Sequence, residues 1–346
     1  MSTLKVDAIR HNSATSDAIT TSADGTCTAR ITGTTGGGGL SHRNILMNGS
    51  CAVSQRGTSF SGTGFTLDRY YVGSGDYSVA QVTDAPSNSG LIYSLRVSRT
   101  ASTTGYLTAQ MIELPATGQA GQFYNGAKFT LSGYVKGTSG ATIIPTLRFS
   151  TGTNGSNGSS FTRTEGVFTC NGSWQPFTFH FTVDENVGGS DKCVQFYFTF
   201  VTTATGQNVF FTGLQLEAGD TATSFEHRSY ADELRHCRRY FCKYVGNLNI
   251  NFVNEHATNY AGYIHFPFYE TMRAAPTITL GSNVGIARPQ VAVSQKVQSV
   301  DSISTDCFNV IRWNGQGQLG SHGDAYYRMT LSGGDSNSFI NCSAEL

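Results

Sequence analysis

Eight histidines are the side chains best suited to hold a metal or move a proton near neutral pH: His11, His42, His180, His227, His236, His256, His265 and His322. None stands in HExxH or another spacing that would bring two imidazoles onto one zinc ion. No GxSxG elbow offers a serine nucleophile. Gly315, Gly317 and Gly320 spell GxGxxG. Dinucleotide binding also needs a helix after that turn, and no helical pattern follows it, so the stretch reads as a hairpin loop. Asp184 and Glu185 are adjacent, and adjacent strand residues face opposite ways, so they read as a turn and not as a converging acid pair. Glu217 and Asp220 end a strand, where oxygen ligands could hold a structural Ca²⁺, a minor alternative. The eight cysteines, at 27, 51, 170, 193, 237, 242, 307 and 342, contain no CxxC and read mostly as buried thiols. No cofactor, no catalytic residue and no enzyme activity is expected.

What remains is binding. Trp174 and Trp313 are the two tryptophans. Exposed aromatic rings on a β-sandwich can stack on the apolar faces of sugars, with polar neighbours holding the hydroxyls. Trp313 lies beside a Gly/Gln/Asn-rich loop; with His322, Tyr326 and Trp174 it makes the candidate carbohydrate-binding set. A core position at the start of a strand is the competing reading of Trp174.

These residues need a frame, and the composition names it. Charged residues make up 13% of the 346 residues, about half the usual fraction of roughly 25%. The chain has 40 Gly, 22 Phe and 16 Tyr, which favours strands closed by turns. Net charge is zero, which argues against nucleic acid as a partner. No apolar run of about 18 residues is present, so no membrane insertion is expected. The first residues lack the apolar core of a secretory signal, so synthesis in a cytoplasm without standard export is expected. Asn48, Asn154, Asn157 and Asn171 each begin an Asn-Gly-Ser triplet, read here as turns.

Residues 1–40 contain no Phe, Tyr or Trp and end in a run of glycines. Such a segment cannot bury enough apolar surface to fold alone and reads as a docking arm with a hinge. Residues 41–228 carry dense period-2 alternation: Phe177, Phe179, Phe181 and Val183 share one face, and Val194, Phe196, Phe198 and Phe200 share another. The expected fold is mainly β, with an antiparallel jelly-roll sandwich there and a smaller β-domain over 245–346.

Between them, nine of the 28 residues from 214 to 241 are Asp, Glu or Arg. Ser229 is a good N-cap, with Asp232 three residues on. Tyr230, Leu234, Cys237 and Phe241 fall at i, i+4, i+7 and i+11, which predicts a linking helix over 229–244 with one apolar face. That face needs cover from a β-domain or from the same helix in neighbouring subunits, so these four residues are the expected domain or subunit contact.

Several segments resemble the fibre proteins of tailed bacteriophages, especially marine and cyanobacterial ones. They are STLKVDAIRHNSATSDAIT, LSHRNILMNGSCAVSQRGTSF with TLDRYYV, LQLEAGDTATSFEHRSYADELRHCRRYF, and FYETMRAAPTITL with the terminal CSAEL. The part ending in GLQLEAGDTATSFE resembles jelly-roll carbohydrate-binding modules. The resemblance implies a homotrimeric fibre of the virion, assembled in the host cytoplasm. It would attach to other virion proteins through residues 1–40 and meet host-surface glycan. Tail fibre and head fibre are both open. An architectural decoration or adaptor protein without receptor contact is the alternative, and a polysaccharide depolymerase is a weaker one. Where such proteins often have Asp-Arg-Trp, this chain has Asp68, Arg69 and Tyr70.

Overall fold

The computed structural model describes residues 8–9, 19–21, 23, 27–29, 42–101, 106–151, 162–200, 205–245, 250–253, 261–282, 284–288, 291–314, 326–331 and 339–345. A small antiparallel sheet comes first: β1 (Ala8–Ile9), β2 (Ile19–Thr21) and β3 (Cys27–Ala29). The sandwich follows with β4 (Ser59–Ser61), β5 (Gly64–Phe65), β6 (Tyr71–Val72), β7 (Tyr77–Val82), β8 (Ser94–Arg99), β9 (Tyr106–Glu113), β10 (Lys128–Gly137), β11 (Thr142–Ser150), β12 (Thr162–Thr164), β13 (Phe168–Thr169), β14 (Gln175–Thr182), β15 (Cys193–Phe200) and β16 (Asn208–Ala218).

One sheet runs β14-β10-β16-β8-β7-β4 and the other β12-β11-β15-β9-β6-β5, with β13 also on β11. From β8 to β11, and again from β14 to β16, the chain changes sheet at every strand. This is the jelly-roll path. Its cause is the alternation seen in the sequence. Phe177, Phe181 and Val183 are buried while Thr178, His180 and Thr182 face solvent, and Val194, Phe196, Phe198 and Phe200 are buried on the facing sheet. Phe198 of one sheet stacks on Phe211 of the other with ring centroids 4.4 Å apart. Each such ring contributes on the order of 1.5–3 kcal/mol by leaving water.

Helix α1 (Tyr230–Arg238) leads into β17 (Phe241–Val245), β18 (Ile250–Val253), β19 (Ala261–Pro267), β20 (Thr277–Leu280), β21 (Val284–Arg288), β22 (Val291–Ile303), β23 (Cys307–Asn314), β24 (Tyr326–Leu331) and β25 (Phe339–Ser343). These form a three-stranded sheet, β17-β25-β20, and a six-stranded one, β18-β24-β21-β22-β23-β19. The helix is shorter than the 229–244 expected from the sequence. Its C-terminal turn closes when the Tyr240 amide bonds the Cys237 carbonyl, and Phe241 then pairs with Ser343 as a strand residue. Its start is as expected: the Asp232 amide donates to Ser229 Oγ at 3.1 Å.

Candidate functional site

The segment 42–58 contains no helix or strand, and asparagine side chains supply the bonds a ladder would have made. Asn44 accepts from the amides of Leu46 (3.0 Å) and Leu216 (3.1 Å) and donates to the Leu214 carbonyl (2.9 Å), which lays the segment along β16. Asn48 takes a left-handed backbone, φ 55°, and its side chain bonds Val53 twice and the Asp68 carbonyl once. Fully buried, Asn48 is a turn residue as expected and is closed to modification. Its amide donates to Glu233 of helix α1.

Glu226 receives the amides of His42 (2.6 Å) and Asn44 (2.8 Å). Burial works against its charge, but those amides and the Arg228 guanidinium hold the carboxyl below its usual value. Arg228 also donates to the carbonyls of Asn44 and Leu46.

At the centre lies Arg69, also left-handed (φ 73°) in the tight turn from Leu67 to Tyr70. This conformation costs a non-glycine residue about 1–3 kcal/mol and persists where the surroundings demand it. Here they do. The buried Arg69 guanidinium donates to Glu345 and to the Met111 carbonyl, and it lies 3.5 Å from the Tyr240 ring centroid. Glu345 also accepts from Arg56 at 3.0 Å, and Arg56 stacks 3.6 Å over Phe241. Asp68, whose carboxyl burial pushes up, takes two bonds from Gln55 at 2.6 Å. Arg273 binds the carbonyls of Ala344 and Glu345, and its amide reaches Arg239. Thus the segments that begin at Leu40 and Thr66, the 214–241 segment and the terminal CSAEL, together with the MRAAP stretch, meet in one buried knot. Its charged groups are engaged with one another, with Gln55 or with backbone carbonyls, so it joins elements of the chain.

The four expected contact residues occupy different settings. Cys237 is buried, Leu234 half-buried and Tyr230 59% exposed, while Phe241 has left the helix for β17. The helix face that packs on the sandwich carries Glu233 and Cys237, followed by Tyr240. Glu233 lies outside the expected apolar stripe yet turns inward, because the amide of left-handed Asn48 and an ion pair with Arg228 at 3.7 Å give it partners inside. Tyr240, also outside the expected contact set, is buried beside them. Its hydroxyl donates to Glu113 at 3.1 Å.

A second region lies on the outer face of the β14-containing sheet. Register sets Lys136 opposite Phe210 and Phe210 opposite Arg96. Trp174, one residue before β14, joins this row: its Nε1 donates to Asp84 at 3.0 Å, and its ring meets Phe210 edge-on at 6.3 Å. Lys136 pairs with Asp84 and sits 4.6 Å from the Phe210 ring centroid. Tyr134, two residues from Lys136 on the same face, packs over Gly213 (φ 61°); a Cβ there would come within 3.2 Å of the Tyr134 ring. Trp174, Phe210 and Tyr134 are all half-buried, so aromatic surface beside a Lys–Asp pair reaches solvent.

Of the other candidate carbohydrate residues, Trp313 lies on β23 and Tyr326 on β24, with β21 and β22 between these strands. His322 and the Gly315–Gly320 loop lie outside the described residues. Tyr70 is fully buried and donates its hydroxyl to the Asn48 carbonyl at 3.1 Å, so it is core and not a ligand platform. Glu217 is occupied by Thr223 and Gln215, and Asp220 pairs with Lys128 at 3.4 Å. Among the described residues no three His, Cys, Asp or Glu side chains gather as a metal site. Asp184 and Glu185 are exposed beyond the end of β14, and Asp184 pairs with Arg163. A cleft of about 710 Å³ beside helix α1 is lined by His42, Asp232, Arg235, His236 and Glu270 among others. Arg235 and Glu270 pair there at 2.8 Å.

No protein-family description and no curated protein matches this chain. Among solved structures, it is similar to a xylan-binding CBM22-2 domain from Paenibacillus barcinonensis Xyn10C, at 14% identity over 44% of this chain and 92% of that domain, TM-score 0.32. It is also similar to TmCBM61 solved with β-1,4-galactotriose (16% identity, 51% of this chain, 99% of that one, TM-score 0.30). A third is a CBM4 structure (16% identity, 50% and 98%, TM-score 0.29). The similar structures named here are carbohydrate-binding modules; likeness at this level assigns no ligand to this chain.

Proposed function

We propose that the chain is a non-enzymatic structural and adhesive fibre protein of a tailed-phage particle, on the tail or the head. In this reading residues 1–40 dock it to other virion proteins, three copies associate, and the sandwich meets host-surface polysaccharide. The observation that carries the reading is the knot around Arg69: the resembling segments beyond residue 39 are the ones that weld sandwich, helix and C-terminal strands together. A buried knot that joins sandwich, helix and C-terminal strands suits a load-bearing part better than a catalyst. The Trp174–Phe210–Tyr134 face supports the adhesive half, because flat aromatic surface beside hydrogen-bonding groups matches a sugar ring. The exposed Tyr230 and half-buried Leu234 leave helix surface for a neighbouring copy.

Competition separates this reading from its alternative. Free protein at saturation is expected to block phage adsorption to host cells, with polysaccharide length unchanged. Full adsorption would favour a purely architectural particle protein, and shortened polysaccharide would favour a depolymerase. For assembly, Leu234→Asp is expected to convert a trimer into monomers in sedimentation; a trimer that persists would remove the helix from the subunit contact.

A further inference from the structure

Cys242 on β17 and Cys342 on β25 are directly opposed partners in the antiparallel ladder. Opposed residues in such a ladder have Cα atoms about 4.5–5.5 Å apart and side chains on the same face, inside the roughly 4.4–6.8 Å a disulfide requires. Both thiols are buried. They are also in hydrogen-bond contact, which lowers Cys242 and raises Cys342 relative to an ordinary thiol. Cys193, on β15 of the sandwich, stands opposite Ser150 and Glu113 in its ladders. Burial pushes its thiol up to about 11, and that of Cys51 up to about 12.

We propose that Cys242 and Cys342 are a disulfide site that staples β17 to β25. The bridge would close the loop formed by residues 243–341. It would also tie the strand that follows helix α1 to the strand that delivers Glu345 to Arg69. The oxidant is a small-molecule disulfide. The Cys242 thiolate attacks one of its sulfurs, the reagent's S–S bond breaks, and one reagent thiol leaves. Cys342, its proton released to solvent, then attacks Cys242 Sγ and displaces the second reagent thiol. The protein loses two electrons and two protons, and the reagent gains them as two thiols. Because both sulfurs are buried, the exchange runs while the sheet is open, during folding or transient local opening.

The test uses the full chain, reduced and denatured, then refolded in parallel in a mixture of reduced and oxidised glutathione and in dithiothreitol. Remaining thiols are alkylated under denaturing conditions and the peptides mapped. The expected result is one peptide pair joining Cys242 to Cys342, and a Tm several degrees above that of the dithiothreitol sample. Cys342→Ser is expected to remove both. Should refolding fail, native chain is incubated with oxidised glutathione in urea below its unfolding transition and mapped in the same way. Full alkylation of both Cys242 and Cys342 in protein refolded in the glutathione mixture, or incubated with oxidised glutathione in the sub-denaturing urea, would overturn the proposal. So would a bridge to another cysteine, or a Tm that the bridge leaves unchanged.

Discussion

Arg69 and Glu345, 276 residues apart in the chain, form an ion pair with side chains only 2% and 3% exposed. The bond joins a turn of the sandwich to the end of the C-terminal sheet. Removing Glu345 leaves the buried Arg69 charge uncompensated, which costs about 3–5 kcal/mol, whereas removing Arg69 leaves Glu345 still paired with Arg56. Glu345→Gln is therefore expected to lower stability to urea by that order, and Arg69→Ala by less. The double change Arg69→Met with Glu345→Leu is expected to cost less than Glu345→Gln. A loss under about 1 kcal/mol for Glu345→Gln would show that solvent already reaches the pair.

Asn48 combines a left-handed backbone with three side-chain bonds. Asn48→Ala adds backbone strain of about 1–2 kcal/mol to unsatisfied buried groups costing about 1–3 kcal/mol. Asn48→Gly keeps the backbone freedom and should be the milder change by roughly the strain alone. Equal losses in thermal or urea unfolding would mean the backbone geometry contributes nothing.

Glu226 gives the pH dependence. Its folded-state pKa lies below the ordinary value of 4.5. Its stabilisation is thus fully present above about pH 4.5 and fades as the pH falls through the lower folded value. Glu226→Gln is expected to be less stable than the natural chain at pH 7 and to approach it at pH 3. A stability gap that stays constant from pH 7 to pH 3 would refute this.

Trp174 tests the aromatic face. Trp174→Ala is expected to weaken retention on host-surface polysaccharide about tenfold, or ~1.4 kcal/mol. Circular dichroism should remain that of the folded protein, since the ring is only half-buried. Unchanged retention in affinity electrophoresis would move the glycan contact elsewhere.

The sequence by itself determined the sandwich. Alternation in Phe177–Val183 and Val194–Phe200 is a local property with a period of two, so burial follows from it directly. The cap at Ser229 was legible for the same reason, since it depends on residues three apart. Only the tertiary structure decided which helix face is buried. Glu233 goes inward because a left-handed amide 185 residues away donates to it, and no local pattern encodes that partner. It also decided that Tyr240 and Phe241 carry guanidinium groups from Arg69 and Arg56, and that Cys242 faces Cys342. Periodicity reports how a residue relates to water; which distant charge or thiol it meets is set when the sheets close.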